Sequence, residues 1–190
     1  MSASRFKQVA DAHRIESVVS ALKSKGFAAQ SVPNAAAAKE AVLKLIPAGS
    51  EVFTFTSATL DATGITEALN AAPYVSLRDK MYSLDRATQG AQMRAIGSAP
   101  AYAAGSVHAI TEDGALVVAS ATGSQLPAYA YGAGHVVFVV GAHGLAFAIS
   151  GLAQLGGVLE VRVRGVGATH TQGRRINAHG GRDEIGRAHV

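Results

Sequence analysis

One segment, residues 105–141, carries most of the information about fold class in this chain: GSVHAITEDGALVVASATGSQLPAYAYGAGHVVFVVG. It contains two β-rich runs that meet at a Thr111-Glu112-Asp113-Gly114 turn, and Asp-Gly is a typical hairpin dipeptide. A Gly/Ser/Thr loop and a short helix candidate follow. The segment closes on residues 135–140, a continuous apolar run that predicts a strand buried on both faces of a sheet.

The chain before this segment alternates helical and extended patterns. Gly26 is the expected stop of the first helix, and Asn34 is the expected N-cap of the second. The predicted helices cover 4–25, 35–46, 58–70 and 79–96; the predicted strands cover 27–32, 51–56, 74–77 and 102–110. Repeated β-then-α units predict a mostly parallel sheet flanked by helices, which is a three-layer α/β fold. Its core strands should include 52–55, 116–119 and 136–140.

Composition indicates a globular domain with a core of small side chains. The sequence is 48% hydrophobic and contains neither cysteine nor tryptophan. Without cysteine this chain cannot hold a Cys-ligated iron–sulfur cluster or form a disulfide, so we expect no cofactor in it. No apolar run approaches the roughly 18 residues of a membrane helix. The N-terminal residues lack the apolar core of a signal peptide, and we expect a cytoplasmic protein without membrane contact.

The net charge of +4 is unevenly distributed. Residues 1–141 hold 11 basic and 10 acidic side chains, whereas residues 142–190 hold 6 and 3. The main part of the chain is therefore nearly neutral, and it shows no basic stripe with interleaved aromatic residues. These features argue against nucleic-acid binding.

Three motifs resemble a known family: Thr56-Ser57-Ala58-Thr59-Leu60, the turn that ends at Gly114, and the loop of residues 120–125. A T-E-D-G turn and an A-S-x-x-G-S-Q loop recur in the lactate-utilisation (LUD, LutC-like) domain family, which residues 5–141 resemble. The resemblance implies a NagB/RpiA/CoA-transferase-like fold, whose members bind phosphosugars, CoA esters or folates. It also implies a role in the oxidation of lactate to pyruvate.

Two loops are candidate binding sites for an anionic small molecule. One contains Ser57 and Thr59, and the other contains Gly123, Ser124 and Gln125. Both are expected beyond strand ends, where open α/β sheets bind ligands, and both offer hydroxyl and N–H groups. Ordinary helix capping by the two serines is the alternative reading.

Glu112 is the candidate catalytic residue. Class I CoA-transferases, on a similar fold, carry a nucleophilic glutamate in an E-N-G turn, and Glu112-Asp113-Gly114 is similar. The alternative is a solvated side chain in a hairpin turn. The histidines show no spacing with carboxylates that would form a metal site, so we expect none.

The character of the sequence changes after residue 141. Glycine becomes frequent and hydrophobic periodicity fades, so the chain departs from the family pattern. The last seven residues, EIGRAHV, can be back-translated to contain the start of a common short-read sequencing adapter. We interpret the end of the chain as a frame-shift or adapter artefact; a divergent natural tail is the alternative. The expected division is a single domain over 1–172 and a non-native or disordered tail over 173–190.

Two functions are consistent with these features. The first is an accessory or regulatory subunit of lactate oxidation, with the redox chemistry in iron–sulfur partner subunits. The second is a free-standing enzyme or binding protein for a phosphorylated or CoA-linked small molecule, which would use Glu112 and the two loops. A pocket that encloses Glu112 between the loops would favour the second.

Overall fold

The computed structural model describes residues 9–120 and 122–142, together with two strands at 157–162 and 172–178. Six α-helices lie in these residues: α1 (Ala12–Ser24), α2 (Ala35–Leu45), α3 (Ala58–Ala62), α4 (Ile65–Leu69), α5 (Leu77–Tyr82) and α6 (Gly90–Ser98). The strands are β1 (Glu51–Thr54), β2 (Val75–Ser76), β3 (Tyr102–Gly105), β4 (Ala109–Ile110), β5 (Leu116–Ala119), β6 (His135–Phe138), β7 (Gly157–Arg162) and β8 (Gln172–Ala178). A π-helical segment, Ala128–Gly132, precedes β6.

Four strands form a parallel sheet in the order β2-β1-β3-β6. Thr54 of β1 is in register with Ala104 of β3, and Gly105 of β3 is in register with Phe138 of β6. From β1 the chain passes through α3 and α4 to β2, and then returns through α5 and α6 to β3. This confirms the α/β class, because each parallel neighbour needs a crossover connection.

Helices cover both faces of the parallel sheet. On one face Phe53 and Phe55 pack in a cluster with residues of α5 and the π-helical segment. On the other face Val52 and Ala104 pack with residues of α2, α3 and α4. Thr54 is fully buried, and its hydroxyl donates to Oδ1 of Asn70 at 2.9 Å. Such burial is tolerated because the polar atom is hydrogen-bonded.

A second, antiparallel sheet has the order β4-β5-β7-β8. Its β4–β5 hairpin carries the predicted turn, in which Gly114 has a left-handed φ of 78°. A Cβ at Gly114 would lie 3.0 Å from the backbone of Ala21, so the turn packs closely against α1. The run at 116–119 is a core strand as predicted, but it belongs to this second sheet.

Several predicted elements differ from the observed ones. The helix expected over 58–70 is divided because Gly64 adopts a left-handed φ of 67°. The helix expected over 79–96 is interrupted where Asp85 accepts hydrogen bonds from the Ala87 N–H and the Thr88 hydroxyl, which favour a turn. Residues 27–32 are extended but not assigned to a strand.

The run at 135–140 contains a strand as predicted, but the expectation that it is buried on both faces is wrong. β6 ends at Phe138, and its side chains are half-buried or exposed. The physical reason is its position, because β6 is the edge strand of the parallel sheet among the described residues.

The C-terminal part of the chain contributes to the second sheet. β7 pairs antiparallel with β5, and β8 pairs antiparallel with β7. The tail expected over 173–190 overlaps this sheet, because Gln172–Ala178 is a strand. β8 pairs with β7 through backbone hydrogen bonds, which do not require a hydrophobic run. The composition of this segment therefore did not predict the strand. The remainder of the expected tail, 179–190, lies outside the described residues, and the domain boundary at 172 stays a prediction.

Within the described ranges, α-helices are too short and too polar to cross a bilayer.

Candidate functional site

The loop after β1 holds the first pair of predicted site residues. The side chain of Ser57 caps α3 by accepting the N–H of Leu60 at 3.3 Å. The carbonyl of Thr59 accepts the hydroxyl of Thr63 at 2.9 Å, and both threonines face a neighbouring cavity. Ser57 therefore has the capping role that the sequence left open, and a ligand-binding role for it stays a prediction.

The loop after β5 is closed by its own hydrogen bonds. The hydroxyl of Ser120 accepts the N–H of Gly123 at 2.9 Å and donates to Oε1 of Gln125 at 2.9 Å. The hydroxyl of Ser124 accepts that of Thr122 at 3.1 Å. Gly123 has a left-handed φ of 70°, which glycine adopts without strain. The i, i+3 spacing of Ser120 and Gly123 is a turn signal that could have identified Ser120 as the organising residue.

Tyr129 connects the second loop to the parallel sheet. Its N–H donates to the carbonyl of Gln125, and its ring contacts Phe55 at 4.9 Å and Phe138 at 4.8 Å between centroids. Burial raises the pKa of its phenol, while the N–H of Ser106 opposes this by stabilising the phenolate. Phe55 and Ser106 both follow strand ends, so the second loop leads to the carboxyl edge of the parallel sheet, where the first loop also lies.

Glu112 makes its side-chain hydrogen bonds to α1 and not to either loop. Its carboxylate pairs with the guanidinium of Arg14 on α1 at 2.8 Å, and its side chain is 63% exposed. The adjacent Asp113 pairs with Lys25, also on α1, at 3.2 Å. Two ion pairs therefore hold this hairpin turn against α1. This agrees with the alternative interpretation, in which Glu112 is a solvated side chain in a hairpin turn.

A cavity of about 550 Å³ lies beside β6, between α1, α2 and α3. Its wall is mostly apolar, and Thr59 is the predicted site residue that lines it. Glu112, Ser57 and Ser124 do not line this cavity. Of the predicted site residues, Thr59 thus adjoins the cavity, Glu112 does not, and a site shared by the two loops stays a prediction.

Arg78 is a charged residue at the same edge that sequence reasoning missed. Its Nη1 donates to the carbonyl of Thr54 at 3.1 Å, and its Nη2 donates to the hydroxyl of Thr56 at 3.4 Å. Arg78 is half-buried, in the first turn of α5. A single arginine after a two-residue strand gives no recognisable motif, so its place at the end of β1 required the fold.

Metal ligation has no support in the part of the chain that the structure describes, where no group of three or more His, Asp or Glu side chains could hold an ion. His108 instead accepts the N–H of Ala119 through Nδ1 at 3.2 Å. Desolvation by burial lowers the pKa of His108. Its neutral form suits this acceptor role, since protonation would place a hydrogen on Nδ1.

The structure is that of an α/β protein with a parallel sheet, and polar residues follow the carboxyl end of β1. The chain belongs to the LUD domain family, whose family model matches residues 15–155. The match continues past residue 141, where we expected the resemblance to end. No curated protein and no solved structure matches the chain. LUD domains are associated with lactate utilisation, which supports a role in lactate utilisation in general.

Proposed function

We propose that the chain is an accessory or regulatory subunit of lactate utilisation that works with iron–sulfur partner subunits. Oxidation of lactate to pyruvate releases two electrons, which need an acceptor. A sequence without cysteine offers no thiolates for a cluster, so the acceptor groups would belong to partner proteins. Family membership supports the pathway, and the composition supports the division of labour.

The observation that carries this proposal is the environment of Glu112. A nucleophilic or general-base carboxylate works in a site that excludes water and positions the substrate. Glu112 is instead 63% exposed and bonded to Arg14 on the surface of α1. The ion pair with Arg14 thus gives Glu112, the candidate nucleophile, a structural role. This favours a non-catalytic role for the chain.

The second candidate function is a binding protein or enzyme for a phosphorylated or CoA-linked small molecule. The cavity of about 550 Å³ supports it, because this volume falls within the range of small-molecule sites. Thr59 and Thr63 provide polar groups in its wall. Such a protein would use the cavity and the two loops, with Glu112 outside the reacting centre.

Affinity purification from cells grown on lactate tests the accessory role. The tagged full chain should co-purify with proteins that show the visible absorbance of iron–sulfur clusters and that oxidise lactate. The matched control is the same chain expressed alone, which should show neither property. The proposal fails if the isolated chain converts a CoA ester or a phosphorylated compound, or if iron does not co-purify under any growth condition.

A further inference from the structure

We propose that a slot beside β6 binds an extended, uncharged peptide segment of a partner protein, which adds a strand to the parallel sheet. The slot is the cavity of about 550 Å³ that β6, α1, α2 and residues 27–35 border. This inference goes beyond the accessory role and does not depend on it, because it rests on groups of this chain alone. It counts against the second candidate function, which would place a small molecule in the same cavity.

The slot lies along the edge of β6 and not over one of its faces. Every residue of 136–140 lines it, although consecutive side chains of a strand point to opposite faces of a sheet. Val136 and Phe138 pack on the face that α1 covers, and Val137 and Val139 pack on the face that α2 covers. A cavity that adjoins both sets of side chains must lie at the edge of the strand.

Two helical layers enclose the slot. Val18 and Leu22 of α1 form one wall, and Ala38 and Val42 of α2 form another. These helices pack on opposite faces of the parallel sheet. The slot therefore has the position that the next strand of this sheet would take between its helical layers.

β6 has unpaired backbone groups on this edge. The N–H of Val139 donates to the carbonyl of Gly105 in β3 at 2.9 Å. Because the backbone groups of a strand alternate in direction, the N–H and C=O groups of Val136 and Phe138 point away from β3. Among the described residues, neither has a backbone partner on that side. Such a row of groups is a template for a further strand.

A second wall also offers unpaired backbone groups. Residues 27–32 are extended and line the slot, and the backbone of residues 28–32 makes no backbone hydrogen bond within the described part of the chain. Unpaired backbone groups beside an apolar cavity cost free energy unless a ligand or water satisfies them. An extended peptide would satisfy such groups, whereas an apolar small molecule would not. The backbone of the slot therefore favours a peptide.

The side chains that line the slot define the class of peptide. None of the described residues that line it is charged, and alanine and valine predominate. A buried charge without a partner is costly, so the bound segment should be uncharged and should carry small apolar side chains at alternate positions. About five residues of the segment would lie beside residues 136–140, because an extended strand rises about 3.3 Å per residue.

Titration of the ¹⁵N-labelled full chain with two synthetic peptides tests the slot by NMR. The first is a capped heptapeptide in which valine and serine alternate, and the second carries glutamate in place of valine. The amide signals of Val136 and Phe138 should shift in a saturable manner with the valine peptide only. Absence of a saturable shift, or equal shifts with the glutamate peptide, would overturn the proposal. Saturable binding of coenzyme A at these amides in place of the peptide would overturn it in favour of a small-molecule site.

Hydrogen exchange in the free chain reports whether another segment already occupies the slot. The amides of Val136 and Phe138 should exchange faster than that of Val139, which is bonded to β3, and should slow when the valine peptide binds. Slow exchange in a free monomer would show that the backbone of the same chain pairs with this edge. Slow exchange only at concentrations where sedimentation shows a dimer would assign the edge to a second copy. Either result would contradict a partner segment.

A variant of β6 tests the mode of binding. Val136→Pro removes an N–H that points away from β3, and an edge strand tolerates proline at such a position. It should weaken binding of the valine peptide by about ten-fold or more, because the donor is lost and the ring obstructs pairing. Val136→Ile keeps the N–H and a similar shape, so it should bind as the unaltered chain does. Unchanged affinity in folded Val136→Pro would contradict strand addition.

Modified peptides give the same test on the unaltered chain, in case Val136→Pro does not fold. Two heptapeptides, each N-methylated at one of the two sets of alternating residues, lack the donors of one edge. The peptide that lacks the donors facing β6 should bind about ten-fold more weakly or worse. Equal affinity of both methylated peptides and the unmodified peptide would overturn strand addition.

Discussion

At the scale of single residues, we expect His108 to make the stability of the second sheet depend on pH. Its ring is bonded to the N–H of Ala119 at the end of β5, next to the loop that Ser120 closes. The bond needs an unprotonated Nδ1, and burial lowers the pKa of His108 in the folded chain. The unfolded chain therefore binds a proton more readily below the ordinary histidine pKa of about 6.5.

The consequence is a loss of stability as the pH falls. The contribution of His108 is fully present above about pH 6.5 and decreases below it, because protonation favours the unfolded state there. Urea denaturation at pH 7.5 and at pH 5.5 should show a smaller free energy of unfolding at the lower pH. In His108→Asn the amide oxygen can accept the same N–H without titrating, so this difference should shrink. An equal pH effect in both proteins would show that His108 is not its source.

Residue-level features differ in how far the sequence predicts them. The caps at Asn34 and Ser57 follow from local spacing, and both are observed. The pairing of Glu112 with Arg14 does not follow from local spacing, because the two residues are 98 positions apart in sequence. The same holds for Arg78, whose contacts with Thr54 exist only once β1 and β2 are paired. Local hydrogen bonds can thus be predicted from sequence, whereas long-range charge pairs cannot.

At the scale of elements, the π-helical segment packs against the carboxyl edge of the parallel sheet through Tyr129. Tyr129 lies between Phe55 and Phe138, and its hydroxyl lies over Gly105. A Cβ at Gly105 would overlap the Tyr129 hydroxyl. The close approach explains why β3 ends in glycine, and it fixes the position of the segment that carries the second loop.

Two glycine substitutions distinguish this contact from a general effect of glycine. Gly105→Ala should lower the free energy of unfolding by about 2–3 kcal/mol, because a tightly packed ring must move. Gly97→Ala is the control, since its Cβ would meet the ring of Phe53 at an ordinary 3.9 Å. Within α6, alanine should raise the free energy of unfolding by up to about 1 kcal/mol. Denaturant melts measure both, and a neutral Gly105→Ala would refute the close contact.

Element boundaries were predictable where the pattern was long or the turn specific. β5 occupies residues 116–119 as predicted, and β1 begins at Glu51 as predicted but ends two residues before the end of the predicted run at 51–56. The divided helices were not predicted, because Gly64 and Asp85 act through backbone conformation and local bonds that hydrophobic periodicity does not report. Periodicity identifies faces well but interruptions poorly.

At the scale of the whole molecule, the chain contains two sheets where the sequence predicted mainly one. The run at 116–119 was expected among the core strands of a mostly parallel sheet, yet β5 pairs with β4 and β7 in a second, antiparallel sheet. Pairing of β5 with β7 joins residues about 40 apart, and such register is not encoded by local composition. The α/β class was predictable from alternation, whereas the partition into sheets was not.

Removal of residues 173–190 tests the second sheet against the expectation of a non-native tail. The truncation deletes most of β8 and leaves β7 as an unprotected edge. We expect the melting temperature to fall by about 4 °C or more, which corresponds to about 1–2 kcal/mol in a chain of this size. An unchanged melting temperature would mean that the last strand adds no stability and would favour the tail interpretation.

Growth on lactate tests the central claim most directly. In the organism that encodes the chain, deletion of its gene should abolish growth on lactate and leave growth on other carbon sources intact. Complementation with the unaltered gene and with Glu112→Gln should restore growth equally, because the Glu112 carboxylate serves an exposed ion pair with Arg14. Normal growth of the deletion strain on lactate would contradict the role in lactate utilisation. Failure of a stably accumulating Glu112→Gln protein would contradict the non-catalytic role.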